Sequence, residues 1–190
     1  MQRSTSEGPT LLSVGHDARP LEVFLNLLRG AAVRLLVDVR TAPGSRKHPH
    51  FGKDALSASL EDAGVEYRWE RALGGWRKSR PGSTHTALRS AGFRGYADYM
   101  ETEEFEEAVA RLIASGSERR TAFMCSESLW WKCHRRLISD ALVVRGCEVL
   151  HLMEGGRLER HRVTPSARVV DGRLVYDVEE GRQELTPPDR

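Results

Sequence analysis

The stretch that decides the fold is RTAFMCSESLWWKCHRRLISDALVVRGCEVLHL, residues 120–152. The apolar run at 120–125 has the length of a buried strand, and the run at 147–152 has the same character. Between them, residues 132–146 predict a helix that ends at Gly146. A strand, a helix and a second strand of these lengths predict a right-handed crossover between two parallel strands.

The chain on either side of this unit repeats the alternation of strand and helix. Further strands are predicted at 11–16, 33–40 and 65–69, and helices at 19–30, 53–63, 93–100 and 102–116. Glycine- and proline-rich segments at 41–52 and 72–92 predict long loops. Asp171-Gly172, between two apolar runs, predicts a hairpin. We therefore expect an α/β fold, a Rossmann-like three-layer domain with a mostly parallel sheet of about five strands plus a C-terminal β-hairpin.

The length of 190 residues suits one domain with short extensions. We expect a flexible leader at 1–10, the α/β domain at 11–155, and a C-terminal β-ribbon and tail at 156–190. A content of 39% hydrophobic and 29% charged residues is untypical of disordered and membrane proteins. No apolar run is long enough to span a bilayer, so no membrane partner is expected.

The three cysteines make an odd number in a chain whose first residues do not resemble an export signal. This favours reduced thiols and a cytoplasmic location. The formal charge of +2 is too small to indicate tight nonspecific binding to nucleic acid.

The chemically unusual side chains fall where predicted strands end. His16 closes the first strand, Arg40 closes the second after Asp38, and Cys125 closes the strand at 120–125. In an open parallel sheet, ligands collect beyond the carboxyl ends of the strands. The sequence therefore predicts that these residues meet in one crevice at that edge.

Two cysteines beside this edge are candidates for reactive chemistry. Cys133 is predicted in the first turn of a helix, where the helix dipole and neighbouring cations favour a lowered pKa. Glu127 and His134 are candidates for moving protons. Each residue taken alone also has a structural interpretation: Cys125 as a small core residue, Glu127 as part of a surface ion pair, and His134 as a surface residue of a first turn.

Metal binding is an alternative for the same cluster. Cys125, Cys133 and His134 are ligand types that zinc accepts. However, the seven residues between the cysteines do not match a zinc knuckle, and no second cysteine pair completes a structural site. No metal ligands are therefore assigned.

Anionic groups of a substrate are expected to bind side chains of the same loops. The candidate substrate-binding residues are His16, Asp38, Arg40, Ser45, Arg77, Arg94, Tyr96, Trp130 and Arg135. The segment LGGWR at 73–77 matches neither a P-loop nor a dinucleotide-binding fingerprint.

Several dispersed segments together resemble the DUF488 family of bacterial and archaeal proteins. They are SVGHDARPLEVFLNLL, LLVDVRTAPGSRKHPHF, LGGWR, GFRGYADYMETEEF, FMCSESLWWKCHRRLISDAL and GCEVLHL, and the most specific is the C-x-E followed by C-H-R. The resemblance implies an α/β Rossmann-like fold but no reaction and no cofactor. It places the family's signature residues at His16, Asp38, Arg40, Pro43, Ser45, Gly74, Gly75, Arg77, Arg94, Gly95, Tyr96, Cys125, Glu127, Cys133, His134, Arg135 and Asp140.

The sequence leaves three classes of function open. The first is an enzyme that uses a reactive cysteine, with Glu127 and His134 handling protons, on an anionic substrate such as a nucleotide or a nucleic-acid end. The second is a non-catalytic metal-binding or nucleic-acid-binding module that uses Cys125, Cys133 and His134. The third is a structural or partner-binding protein whose cysteines are only packed. The cofactor and the oligomeric state stay open.

Overall fold

The computed structural model describes residues 8–44 and 47–178 of the chain. The candidate binding residue Ser45, most of the predicted leader and the last part of the predicted tail lie outside these ranges. In the part of the chain that is described, no helix is both long enough and apolar enough to cross a bilayer.

A six-stranded sheet forms the centre of the molecule, with the strand order β3-β2-β4-β1-β5-β6. The strands are β1 (Thr10–Gly15), β2 (Leu35–Asp38), β3 (Glu66–Trp69), β4 (Thr121–Cys125), β5 (Glu148–Leu152) and β6 (Leu158–Arg160). The first five in this order run parallel, and β6 pairs antiparallel with β5. The predicted α/β class with a mostly parallel sheet is confirmed. The short strand β6 was not predicted, because three residues with two charges carry no strand pattern.

Five helices cover the two faces of the sheet: α1 (Leu21–Gly30), α2 (Lys53–Asp62), α3 (Ala91–Tyr99), α4 (Glu103–Glu118) and α5 (Arg135–Val144). On one face, Phe24 and Leu28 of α1 and Leu60 of α2 pack in a buried cluster with Leu12 and Val14 of β1. On the other face, Phe105 and Leu112 belong to a second cluster, formed by α3, α4, α5 and the opposite side of the strands. This gives the expected three layers.

The central position of β4 determines where the site forms. β4 pairs with β1 on one side and with β2 on the other, in a register that places Cys125 beside Gly15 and Met124 beside Asp38. The strand order therefore departs from the dinucleotide-binding arrangement, in which the first two strands are neighbours. As a result, the residues that follow β1 and β2 flank the end of β4.

The predicted C-terminal hairpin is confirmed as β7 (Ala167–Val170) and β8 (Arg173–Tyr176), which form a separate two-stranded sheet. Asp171 and Gly172 have φ values of 49° and 77°, as a type I′ turn requires. The hairpin is anchored to the domain, because the hydroxyl of Tyr176 donates to Asp140 Oδ2 on α5 at 3.0 Å.

Candidate functional site at the carboxyl edge of the sheet

A cavity of about 640 Å³ lies at the carboxyl edge of the sheet, beyond β1, β2 and β4. Six of the predicted site residues line it: His16, Arg40, Cys125, Glu127, Cys133 and His134. These side chains are separated by more than a hundred positions in the sequence. They share one cavity because the three strands that carry or precede most of them are neighbours in the sheet.

The side chains of Cys125, Cys133 and His134 form a compact cluster in this cavity. His134 Nε2 donates a hydrogen bond to the carbonyl oxygen of Val39 at 2.9 Å. This bond places the ring proton on Nε2, so Nδ1 carries a lone pair. Nδ1 lies 3.4 Å from Cys133 Sγ and 4.0 Å from Cys125 Sγ. The imidazole therefore presents a proton acceptor to both thiols.

The two thiols ionise very differently. A hydrogen bond from the Cys125 thiol stabilises the Cys133 thiolate and lowers the pKa of Cys133 to about 6, against the effect of burial. The same hydrogen bond, together with burial, raises the pKa of Cys125 to about 12. Near neutral pH the pair therefore holds one proton, on Cys125, and one thiolate, on Cys133.

The position of Cys133 corrects one prediction from the sequence. Residues 130–132 form a separate 3₁₀ turn, Cys133 has extended backbone angles, and α5 begins only at Arg135. Cys133 therefore precedes the helix instead of lying in its first turn. The hydrogen bond from Cys125 is the largest cause of the lowered pKa of Cys133, and the charge and the N–H groups of Arg135, the first residue of α5, lower it further.

Arg135 is buried under the loop that follows β4. Its guanidinium donates to Ser13 Oγ at 3.2 Å and to the carbonyl oxygens of Glu127 and Ser128. Among the described residues it has no carboxylate within ion-pair distance. Gly15 permits this arrangement, because a Cβ there would lie 1.9 Å from the carbonyl oxygen of Glu127. Arg135 thus braces the loop and brings a buried positive charge near the thiols.

His16, Arg40 and Asp38 form a second network along the cavity. Arg40 Nε donates to Asp38 Oδ1 at 2.9 Å, and its Nη1 donates to His16 Nε2 at 3.2 Å. The hydroxyl of Tyr67 also donates to Asp38 Oδ2, at 2.7 Å. Burial lowers the pKa of His16 to about 4, so its imidazole is neutral near pH 7. The charge of Arg40 is balanced by Asp38, although the side chain still faces the cavity.

The two glycines of LGGWR allow close packing around the cluster. A Cβ on Gly75 would lie 2.5 Å from His134 Nδ1, and a Cβ on Gly74 would lie 2.9 Å from Thr41. Gly75 therefore lets the loop pack directly against the imidazole. The next residue, Trp76, lines the cavity with its side chain 81% exposed.

Besides Asp38 and Arg135, four predicted binding residues lie outside the lining of this cavity. Arg77 stacks on Tyr99 at 3.6 Å, and Arg94 donates to the carbonyl oxygen of Leu88 at 2.8 Å. Tyr96 is fully buried and donates to the carbonyl oxygen of Leu73 at 2.9 Å. These three residues fix the loop and α3 in place.

Trp130, the fourth, stacks on His151 with ring centroids 4.0 Å apart. Behind it, His151 Nε2 donates to His161 Nδ1 at 2.9 Å, and His161 Nε2 donates to Asp140 Oδ1 at 2.8 Å. Burial lowers the pKa of His151 to about 2, so this imidazole is neutral. This buried chain connects the loop after β4 with the segment that leads to the hairpin.

Of the remaining predicted residues, Asp38 binds Arg40 and Arg135 binds the loop after β4, so both hold lining residues in place. Ser45 lies outside the described residues. Several lining residues were not predicted, including Asp17, Trp76, Phe93 and Ser126. A glycine pair followed by tryptophan was the only sequence signal for Trp76, since paired glycines often mark a close approach of backbone. Lys47 and Lys132 also line the cavity, and both belong to the basic residues in or beside predicted loops that could gather around an anion.

The thiol cluster also meets a geometric requirement for metal binding. The two sulfurs and His134 Nδ1 all lie within 4.8 Å of one another. No fourth His, Cys, Asp or Glu of the described residues joins this group. A tetrahedral ion would therefore need a further ligand from solvent or substrate.

Comparisons with curated proteins and with solved structures found no match. One family model matches residues 20–142, which is more than half of the chain. The matched range contains the C-x-E and C-H-R segments that line the cavity. The chain therefore belongs to the family described as Domain of unknown function DUF488.

Proposed function

We propose that this protein is an enzyme that uses the thiolate of Cys133 as a nucleophile on an anionic substrate held in the carboxyl-edge cavity. The observation that carries the proposal is the convergence of two thiols on the lone pair of one fixed imidazole. Cys133 Sγ then has a proton acceptor at 3.4 Å and a thiol donor beside it. Nucleophilic cysteines are activated by such neighbours.

The proposed roles of the other groups follow from their places around the cavity. His134 Nδ1 accepts a thiol proton, and the Val39 carbonyl holds the ring in the tautomer that can do so. Arg135 stabilises the thiolate by its charge. Glu127 lines the cavity with an exposed carboxylate, and we assign it to proton transfer at the leaving group.

The cavity is lined by the carboxylates of Asp17 and Glu127 and by two ammonium groups, and it is the ammonium groups that support an anionic substrate. Lys47 and Lys132 are exposed there, and neither has an ion-pair partner among residues 8–44 and 47–178. Arg40 faces the same space. Ammonium groups of this kind attract carboxylates and phosphates, including those of a nucleotide or a nucleic-acid end.

Alkylation by iodoacetamide tests the proposal. From about pH 5 to about pH 8, we expect the labelling rate of Cys133 to rise with a midpoint near its pKa of about 6, because only the thiolate reacts. Cys133→Ser should lose this reaction. Cys147→Ser is the matched control and should keep it, since Cys147 lies at the start of β5, at the opposite edge of the sheet. Labelling of Cys133 that begins only near the pKa of an ordinary thiol would contradict the proposal.

The compact group of three donor atoms favours a second candidate, the non-catalytic metal module. Elemental analysis of freshly purified, tag-free protein distinguishes the two. Stoichiometric zinc, with thiols that react only after chelation, would favour the metal module. Metal-free protein with a reactive Cys133 supports the enzyme. Binding of nucleic acid that weakens as salt is raised would support the nucleic-acid version.

A further inference from the structure

We infer that Cys125 is a resolving thiol, and that the site exchanges electrons with the disulfide of an anionic low-molecular-weight thiol by closing a Cys125–Cys133 disulfide. The inference rests on the proposed function, because Cys133 must first act as the nucleophile. Beyond that function, it gives Cys125 the second step of the reaction and identifies the atom that Cys133 attacks as a disulfide sulfur of the substrate.

The first argument is the placement of the two sulfurs. The two sulfurs lie within 4.8 Å of each other, and each contacts His134 Nδ1. Both cysteines are reduced in the structure. A disulfide requires the sulfurs to approach to about 2 Å. Cys125 is the last residue of β4, while Cys133 lies in the connection between a 3₁₀ turn and α5. Both residues line the same cavity.

The second argument is the difference between the two thiols. A nucleophile must be ionised at the start, whereas a resolving thiol has to stay protonated until the first exchange is complete. The hydrogen bond between the sulfurs produces this order, since it stabilises the Cys133 thiolate and keeps the proton on Cys125. Once Cys133 is bonded to a substrate sulfur, its negative charge is gone. The main cause of the raised pKa of Cys125 then disappears, at the moment when Cys125 must ionise.

The reaction balances in two steps. The Cys133 thiolate attacks one sulfur of the substrate disulfide, the S–S bond breaks, and the first thiolate leaves. Cys125 then gives its proton to His134 Nδ1 and attacks the Cys133 sulfur, and the second thiolate leaves. The substrate gains two electrons and the two cysteines lose them. A dithiol reductant must restore the reduced pair.

The class of substrate follows from the cavity. A disulfide formed from a carboxylate-bearing thiol places negative charge beside its sulfurs, and Lys47 and Lys132 line the same space as Cys133. Oxidised glutathione has this chemistry and serves as the probe.

The test follows the intact mass of the full-length reduced protein incubated with oxidised glutathione. The wild-type protein should lose two hydrogens and retain no adduct. Cys125→Ser should accumulate one glutathione on Cys133, because the resolving step is lost. Cys133→Ser should form no adduct at Cys125 in the time that the wild-type protein needs to lose two hydrogens. Cys147→Ser should behave as the wild type does.

The failures of the two proposals are distinguishable. If Cys133 alkylates with the expected pH profile but wild-type protein keeps a stable glutathione adduct, the resolving role is wrong and the nucleophile stands. Incubation with oxidised glutathione that leaves Cys125 and Cys133 reduced and without an adduct, in protein whose Cys133 still alkylates, also overturns the inference. If Cys133 does not alkylate, both proposals fail. The wild-type measurement needs no substitution, so a variant that fails to fold does not block the test; Cys125→Ala provides a second variant.

Discussion

Arg135 is the residue at which stability and chemistry meet. A buried guanidinium is costly unless its charge and its N–H groups find partners. The carbonyl oxygens of Glu127 and Ser128 and the hydroxyl of Ser13 supply dipoles, but the described residues supply no carboxylate near it. The Cys133 thiolate provides the nearby negative charge, and each of the two charges therefore stabilises the other.

Substitution of Arg135 should separate its charge from its hydrogen bonds. Arg135→Met removes both, so the midpoint pH of Cys133 alkylation should rise because the thiolate loses a favourable charge. Arg135→Lys keeps the charge and should retain more of the lowered pKa. In both variants the free energy of unfolding, measured by urea titration, should fall, by at most about 5 kcal/mol. The upper limit is the cost of breaking a buried ionic contact. An alkylation midpoint that is the same in both variants and in the wild type would show that Arg135 only braces the loop.

Among the elements, the loops around the cavity were the least predictable part of the site. The paired glycines of LGGWR are visible in the sequence, but no local pattern reveals that the His134 ring packs against Gly75. Arg77 is predicted to bind substrate, but its guanidinium stacks on Tyr99 and donates to the carbonyl oxygens of Ala72 and Gly74. The local sequence around a loop arginine does not indicate whether its side chain faces a cavity or stacks on a neighbouring ring.

The hairpin is a second case in which a local pattern predicts an element but not its contacts. Asp171-Gly172 predicts the turn, whereas nothing in the sequence predicts how the hairpin is anchored to the domain. Asp140 accepts hydrogen bonds from His161, from the backbone and side chain of Thr164, and from Tyr176. All four residues are buried. A single carboxylate on α5 therefore holds both the hairpin and the segment before it.

Removing one donor from this carboxylate should weaken the anchoring of the hairpin. Tyr176→Phe deletes the hydroxyl that donates to Asp140 at 3.0 Å, and should lower the free energy of unfolding by about 1.5–3 kcal/mol, as expected for a hydrogen bond to a charged group. Arg168→Ala removes an exposed ion pair of the same hairpin with Asp177 and should leave stability almost unchanged. Urea unfolding monitors both variants. Equal effects of the two substitutions would contradict the anchoring role of the Tyr176 hydroxyl.

For the whole molecule, the alternation of strands and helices was enough to predict the fold class and the edge at which the site forms. The parallel direction of the strands brings His16, Arg40 and Cys125 to one edge whatever the strand order. Their actual proximity depends on β4 lying between β1 and β2, a nonlocal pairing that periodicity does not specify. For Cys133, the influence of Arg135 at the start of α5 is local and readable from the sequence, whereas the hydrogen bond from Cys125 depends on the fold.

The buried histidines make the stability of the whole molecule depend on pH. Burial lowers the pKa of His16 to about 4 and that of His151 to about 2, whereas both bind protons near pH 6.5 when unfolded. Below pH 6.5 the unfolded chain therefore binds more protons than the folded chain. The contribution of these two histidines to stability is complete above this pH and falls as the pH drops, by up to roughly 1.4 kcal/mol per pH unit for each histidine.

Urea unfolding between about pH 7 and about pH 5 measures this effect most directly in a Cys133→Ser background, because most carboxylates titrate below that range and the Cys133 thiol, with a pKa of about 6, titrates within it. We expect the free energy of unfolding of this variant to fall across the window. His16→Gln should be less stable at pH 7, since it loses the stacking on Phe51, but its pH dependence should be shallower by the share of one histidine. A free energy of unfolding of the Cys133→Ser variant that stays level from pH 7 to pH 5 would mean that these imidazoles are protonated as readily in the folded protein as in the unfolded chain.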